Sequence, residues 1–210
     1  MMRKVYIAGE SAAVEALCGI VQYGFQMRVR VGRPVREVLR LWCGISDEYI
    51  TGSIRTVFLD GKPVDDIDSA VVREGACLAL SGAMPGLVGA VMRRGSSLAS
   101  FRGTITHGES GDAPEEKDGM IRIKLFNVIM KDLGRMFLEH GIVVDSRDLV
   151  DFAARLPGGF WQRKMELYVD DTPVDPRELM KHAMAPGGVP VSLRCSGLGE
   201  LRNSQNGCDV

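Results

Sequence analysis

The chain has 210 residues, of which 45% are hydrophobic and 25% are charged, and its formal net charge is −1. This composition is typical of a globular protein and excludes wholesale disorder. The near-neutral charge excludes a nucleic-acid binder that works by bulk charge, so we expect any basic surface to be local and expect no nucleic-acid partner.

The first predicted elements are two strands and a helix. The stretch "RKVYIA" predicts a strand, and Phe25–Val31 alternates between apolar and polar residues, which predicts a second strand. Apolar residues then recur at helical spacing, and Pro34 suits the first turn of that helix. The helix is predicted to bury one stripe at i, i+3, i+4 and i+7, made of Val38, Leu41, Trp42 and Ile45.

A hairpin and a last strand follow. The stretch "TVFLDGKPVDD" at Thr56–Asp66 places Asp60-Gly61 between two short apolar runs. Glycine accepts the positive φ that tight hairpin turns require, so this pair predicts the turn. The stretch "CLALSG" at Cys77–Gly82 predicts the next strand.

Residues 75 to 92 carry no charged side chain, which just reaches the length of a membrane-spanning helix. Glycines and Pro85 interrupt this run, and its first part has the pattern of a strand. We therefore expect no membrane segment.

Residues 83–106 are the part of the chain that we expect to carry a specific function. The stretch has no acidic residue, and its glycines and arginines make Arg93, Arg94, Gly95 and Arg102 the candidate anion- or partner-binding site. It lacks the spacing and the lysine of a phosphate-binding P-loop. The alternative, which we favour because a charge cluster alone seldom marks a site, is that "GLVGAVM" forms a short helix or strand that covers an apolar surface while the arginines face water.

The second half of the chain repeats the first. "ELYVDDTPVDP" at Glu166–Pro176 aligns with Thr56–Asp66 without gaps. Ile121–Phe126 predicts a strand, Val191–Gly197 another, and Asp145 or Ser146 is suited to cap the helix between them. The apolar stripe of that helix repeats the earlier spacing at Leu149, Phe152, Ala153 and Leu156. The order β-β-α-β-β-β is thus predicted twice.

The repeat predicts two domains. We place the first at residues 1–106, with 83–106 as its carboxyl-terminal extension, and the second at 120–197. Residues 107–119, "HGESGDAPEEKDG", predict an acidic linker, and 198–210 a flexible tail.

Catalytic and metal-binding patterns are missing from the sequence. The five cysteines form no C-x-x-C pair, which favours reduced thiols in the cytoplasm, and Cys195 is expected in the core. The three histidines lie far apart, and the acidic turns lack the spacing of a calcium loop. We therefore expect no catalytic residue, no metal and no cofactor.

The second half resembles a known family. The run "MIRIKLFNVIMKDLGRM", then "DSRDLVDFAARL", "ELYVDDTPVDP" and "VSLRCSG" is similar to the ubiquitin-like sulfur carriers, which include the small subunit of molybdopterin synthase and the thiamine-thiazole carrier. The likeness spans 120–197, and the first copy is similar mainly from Phe25 onward. It implies an α+β fold of two tandem β-grasp (ubiquitin-like) domains, each with a mixed sheet and one main helix.

The resemblance also implies a carboxyl-terminal Gly-Gly that is converted to a thiocarboxylate. Here Gly82 is internal, and Gly197 is followed by "LGELRNSQNGCDV". We therefore expect a non-catalytic cytoplasmic binding or adaptor protein that contacts an unidentified protein partner, or a second copy, through its sheet edges and residues 83–106. Two alternatives remain: a sulfur-carrier-like role in molybdopterin or thiamine-type cofactor synthesis after trimming of the tail, and an anion-binding enzyme subunit that uses Arg93 and Arg94.

Overall fold

The structure, a computed structural model, describes residues 2–103, 105–108, 115–175 and 188–198. It has a mixed α+β fold. The strands in the described part are β1 (Arg3–Gly9), β2 (Phe25–Val31), β3 (Arg33–Pro34), β4 (Thr56–Leu59), β5 (Lys62–Pro63), β6 (Val71–Val72), β7 (Cys77–Ser81), β8 (Lys117–Phe126), β9 (Ile142–Asp145), β10 (Met165–Val169), β11 (Thr172–Val174) and β12 (Pro190–Gly197). The helices are α1 (Ser11–Leu17), α2 (Val35–Leu41), α3 (Asp47–Gly52), α4 (Gly86–Met92), α5 (Asn127–His140) and α6 (Ser146–Arg155), with 3-10 turns at Cys18–Gln22, Ala99–Arg102 and Phe160–Gln162.

The chain forms two compact units. Unit 1 consists of Met1–Phe25 and Lys131–Val210, and unit 2 of Gln26–Met130. These boundaries differ from those of the predicted domains at 1–106 and 120–197, because unit 1 combines both ends of the chain.

In unit 1 the strand order is β11-β10-β1-β12-β9. β1 runs parallel to β12 and antiparallel to β10, while β12 runs antiparallel to β9. Alternate residues of each strand point to one buried face, among them Val5, Ile7, Leu193 and Cys195. This face supplies the core of unit 1.

In unit 2 the strand order is β2-β8-β7-β4-β5, and β3 pairs separately with β6. β7 is parallel to β8 and antiparallel to β4. β8 begins at Lys117, so the predicted acidic linker ends earlier than Gly119, and residues 109–114 of it lie outside the described part. Val29, Ile123, Leu80 and Val57 lie on the buried face of this sheet.

Both sheets share one pattern: an outer hairpin, a central parallel pair and a further strand beside that pair. In unit 2 the place beside β7 belongs to β8, the first strand of the second repeat. In unit 1 the place beside β12 belongs to β1, the first strand of the first repeat. The first strand of each repeat thus pairs with the last strand of the other repeat, so the two first strands are exchanged. The order within the parallel pair differs, because β8 lies between β7 and β2, whereas β1 lies between β12 and β10. A repeated sequence specifies which strands form but leaves open which sheet each strand joins.

The predicted hairpin turns are confirmed. Asp60 and Gly61 have φ of 51° and 78°, and Asp170 and Asp171 have φ of 50° and 63°. Positive φ at both central residues is the geometry of a type I′ turn, which matches the twist of the flanking strands. Both copies therefore use the same turn, although the second has no glycine in it.

The predicted helices agree with the structure in the second copy and only in part in the first. α6 buries Leu149, Phe152 and Ala153, whereas Leu156, the fourth residue of the predicted stripe, follows the last helical residue and is half-buried. The side chain of the N-cap residue of α6, Asp145, accepts a hydrogen bond from the backbone of the first turn at 2.8 Å. The predicted stripe of the first helix is wrong, because α2 ends at Leu41. Its buried residues are Val35, Val38 and Leu39, Trp42 is half-buried, Ile45 is buried beyond the helix end, and Leu41 is 54% exposed.

A helix also lies between the first two strands of each repeat, α1 in the first and α5 in the second, which the predicted element order omits. Within the described ranges, no helix is both long enough and apolar enough to span a bilayer.

Candidate binding surface on the 83–106 segment

The stretch "GLVGAVM" forms the helix α4, one of the two forms predicted for it. Gly89 is buried in it, and a Cβ atom there would lie 2.1 Å from the carbonyl oxygen of Met84. Because a real Cβ cannot approach an oxygen so closely, only glycine lets the chain before α4 fold back against the helix. The local path of the segment therefore depends on this position.

Arg102 holds the segment to the body of unit 2. Its side chain is buried, and Nη2 and Nη1 donate to the two carboxylate oxygens of Asp65 at 2.6 and 3.0 Å. Nε donates to the carbonyl of Val91 at 2.7 Å, Nη1 to the hydroxyl of Thr106 at 2.9 Å, and Nη2 to the carbonyl of Arg93 at 3.5 Å. A guanidinium has five N–H groups, so all of its donors are used inside the chain. Arg102 is a structural clamp.

Arg94 is also directed inward. Its Nη2 donates to the carbonyl oxygens of Ile50 and Ile54 at 3.1 and 2.9 Å. Its backbone N–H donates to the carbonyl oxygen of Arg55 at 2.9 Å. Burial, and then the positive charges of Arg36 and Arg55, lower the pKa of Arg94 below its usual value. The carbonyls at the end of α3 thus replace much of the water that a guanidinium needs.

The other two predicted site residues differ from each other. Arg93 is half-buried, ends α4 with an extended backbone, and has a buried Nε with no hydrogen-bond partner in the described residues. Gly95 is exposed, with a φ of 63° that favours glycine. The four predicted residues therefore lie along one segment, but Arg94 and Arg102 direct their side chains to the chain itself and not to a common ligand.

Apolar side chains occupy the outside of this segment. Leu87, Val88, Phe101 and Ile105 are 72%, 69%, 79% and 50% exposed. They make up half of the eight exposed large apolar residues in the described part of the chain. In the alternative prediction α4 covers an apolar surface and the arginines face water, whereas here α4 exposes Leu87 and Val88, and Arg94 and Arg102 are directed inward. We call these four side chains the apolar platform.

The residue after the segment, His107, also protects a sheet edge. β5 is the outer strand of unit 2, and the backbone N–H of His107 donates to the carbonyl of Pro63 in it at 2.8 Å. An unpaired edge offers hydrogen bonds to any extended chain. Part of this predicted contact edge is thus already occupied by His107, the residue that follows the segment.

The cysteines that the structure describes are free, and three of them are buried. Burial raises the pKa of Cys18 to about 11 and that of Cys43 to about 12, and it also raises the pKa of Cys195, which lies in the core as predicted. These thiols are protonated at neutral pH and so are poor nucleophiles.

No cluster of three or more metal-ligating side chains occurs among the described residues. The carboxyl-terminal stretch from residue 199, on which sulfur carriage depends, lies outside the described residues, as does His182.

Sequence reasoning missed Asp65. In the sequence it is one of two acidic residues at the end of "TVFLDGKPVDD", and nothing there marks it as the counter-ion of Arg102. The acid-free composition of residues 75–108 is the signal that could have indicated it, because a buried arginine in such a stretch has to take its counter-ion from elsewhere in the chain.

Comparisons of the chain with protein-family models, with curated proteins and with solved structures find no match.

Proposed function

We propose that this protein is a non-catalytic adaptor that binds a protein partner through the apolar platform of the 83–106 segment. The proposal rests on the exposure of four apolar side chains, Leu87, Val88, Phe101 and Ile105. The segment that carries them is held to the rest of unit 2 by the hydrogen bonds of Arg94 and Arg102. The four side chains lie in one short segment, in which α4 packs against the 3-10 turn at Ala99–Arg102. Such a concentration marks a contact surface, since burial against a partner removes the side chains from water.

The clamp is what makes the platform suitable for binding. Arg102 and Arg94 together make seven side-chain hydrogen bonds to unit 2 residues. A surface that is already ordered loses less conformational entropy when it binds, so more of the burial energy remains as affinity. Hot spots of interfaces are enriched in aromatic residues that fill a pocket of the partner. Phe101, the most exposed of the four, is the expected anchor.

We further propose that the two units are degenerate β-grasp domains in a cytoplasmic protein. The shared sheet pattern, with a central parallel pair and an outer hairpin, supports the first point. The free cysteines support the second, because thiols persist in a reducing compartment. Self-association is one form that the adaptor's partner contact can take.

The experiment compares serine variants in affinity capture from the native host. Phe101→Ser and Leu87→Ser should each lose the captured partner, because each places a polar group in an apolar contact. Leu41→Ser is the matched control, since Leu41 is equally apolar and 54% exposed but lies outside the segment. Equal capture by all three variants would exclude the platform as the binding surface, and sizing at several concentrations distinguishes a second copy from a different partner.

A further inference from the structure

A basic surface lies on the outer face of the unit 2 sheet. Along β2 the exposed residues alternate with the buried ones, which places Arg28 and Arg30 on the outer face. Along the neighbouring β8, Arg122 and Lys124 alternate with buried isoleucine and leucine in the same way. Four cations are thus carried by two adjacent strands, and we call them the basic face.

The charges of the basic face are only partly compensated. Arg30 lies 3.7 Å from Glu116, whose carboxylate is also within 2.7 Å of Arg33. Within the described ranges, neither Arg28 nor Lys124 has an ion-pair partner. A group of exposed cations raises the local positive potential although the whole chain has a net charge of −1.

A small residue lies beside the basic face on the neighbouring strand. In register, Lys124 is opposite Ala79 of β7, and Ala79 is opposite Phe58 of β4. The small side chain of Ala79 thus lies between a cation and an aromatic ring, both half-buried. This row across three strands places the charged Lys124 two strand spacings, or roughly 10 Å, from the apolar Phe58.

We propose that the basic face binds an extended acidic segment of a protein partner. In an extended chain, alternate residues lie on one side about 6.5–7 Å apart, which is also the spacing of Arg28 from Arg30 and of Arg122 from Lys124 along their strands. Alternate carboxylates can therefore meet successive cations, and arginine can accept a carboxylate with two parallel hydrogen bonds.

Single-stranded nucleic acid fits this face less well. Proteins that bind it present aromatic side chains on which successive bases stack, whereas the outer face here offers half-buried Phe58 on β4 and Phe126, 36% exposed, at the end of β8, with β7 between the two strands. The net negative charge of the chain also opposes a long polyanion. A short acidic peptide contacts only the basic face, so the local positive potential there is enough to attract it.

The test is fluorescence anisotropy of the full-length protein with a labelled peptide of about ten residues in which glutamate alternates with threonine, an extended-chain former. The wild type should bind, and its affinity should fall with added salt. Arg28→Glu/Lys124→Glu should weaken binding by about tenfold or more, because two attractions become repulsions. Lys131→Glu, an exposed lysine on α5, is the matched control and should change affinity by less than about twofold.

Three results would overturn the inference: no binding by the wild type, an equal loss in the Lys131→Glu control, or tighter binding of an oligothymidylate than of the peptide. If the charge-reversed protein is not folded by circular dichroism, Arg28→Gln/Lys124→Gln replaces it and should still weaken binding. The basic face and the apolar platform share no residue, so this proposal and the proposed function can fail separately.

Discussion

Arg102 and Asp65 form a two-point ion pair, with Nη2 donating to Oδ1 at 2.6 Å and Nη1 to Oδ2 at 3.0 Å. The arginine is 2% exposed, whereas the side chain of Asp65 is 38% exposed. One partner is thus fully desolvated and the other remains partly in water. This asymmetry determines what happens when either residue is replaced.

Asp65→Ala should lower the free energy of unfolding by about 1–3 kcal/mol, because it leaves the buried guanidinium without its counter-ion. Urea unfolding of the full chain measures the change. Arg40→Leu is the control, since Arg40 is half exposed and lies 3.9 Å from Asp47, where an ion pair contributes at most about 1 kcal/mol. A loss in Asp65→Ala no larger than in the control would contradict the clamp.

Gly89→Ala should destabilise the segment, because the new Cβ would overlap the carbonyl oxygen of Met84. The backbone has to move, and the expected cost is about 1–3 kcal/mol, as for overpacked sites. Gly103→Ala is the control in the same segment, since its Cβ would meet only the carbonyl of Ser100 at 3.6 Å, an ordinary contact. Limited proteolysis should cut the Gly89 variant faster than the control, and equal rates would contradict the close approach.

The exchange of first strands predicts a specific cross-link. Tyr6 of β1 lies directly opposite Tyr168 of β10, so Tyr6→Cys/Tyr168→Cys should form a disulfide on mild oxidation. Tyr6→Cys/Ala79→Cys is the control, because it would bring β1 next to β7, the arrangement of a self-contained first repeat. Non-reducing electrophoresis after oxidation distinguishes the two, and a disulfide in the control alone would show that the repeats are not exchanged.

The cysteines should differ in reactivity in the native state. Burial raises the pKa of Cys18 to about 11 and of Cys43 to about 12, so both remain mainly protonated as the pH rises from 7 to 9 and should not react with an aromatic disulfide reagent. Cys77 is partly exposed and should react. In a Cys208→Ser background, titration should give one accessible thiol, and reaction of Cys43 at the rate of Cys77 would contradict its burial.

Local features were predictable from the sequence because their causes are local. Asp60-Gly61 specifies its turn through backbone preference, and Asp145 caps α6 through a hydrogen bond to a residue two positions away. The register of α2 was not predictable from periodicity, since Leu41 and Leu39 are equally apolar and only the packing decides which is buried.

Long-range features depended on pairings that the sequence does not specify. Asp65 and Arg102 lie 37 positions apart, and nothing between them indicates that they meet. The strands β1 and β8 are similar enough for either sheet, so the repeat predicts both strands but not their exchange. The sequence does not show that the apolar platform is exposed. Apolar residues in a short helix have the same pattern whether they face the core or the solvent.

Site-specific photo-cross-linking in the native host tests the proposed adaptor surface most directly. A photoreactive phenylalanine analogue at position 101 should give a discrete cross-linked species, because that side chain is 79% exposed at the proposed contact, whereas the same analogue at position 41 should not. Cross-links of equal yield at both positions, or at position 41 only, would contradict binding through residues 83–106.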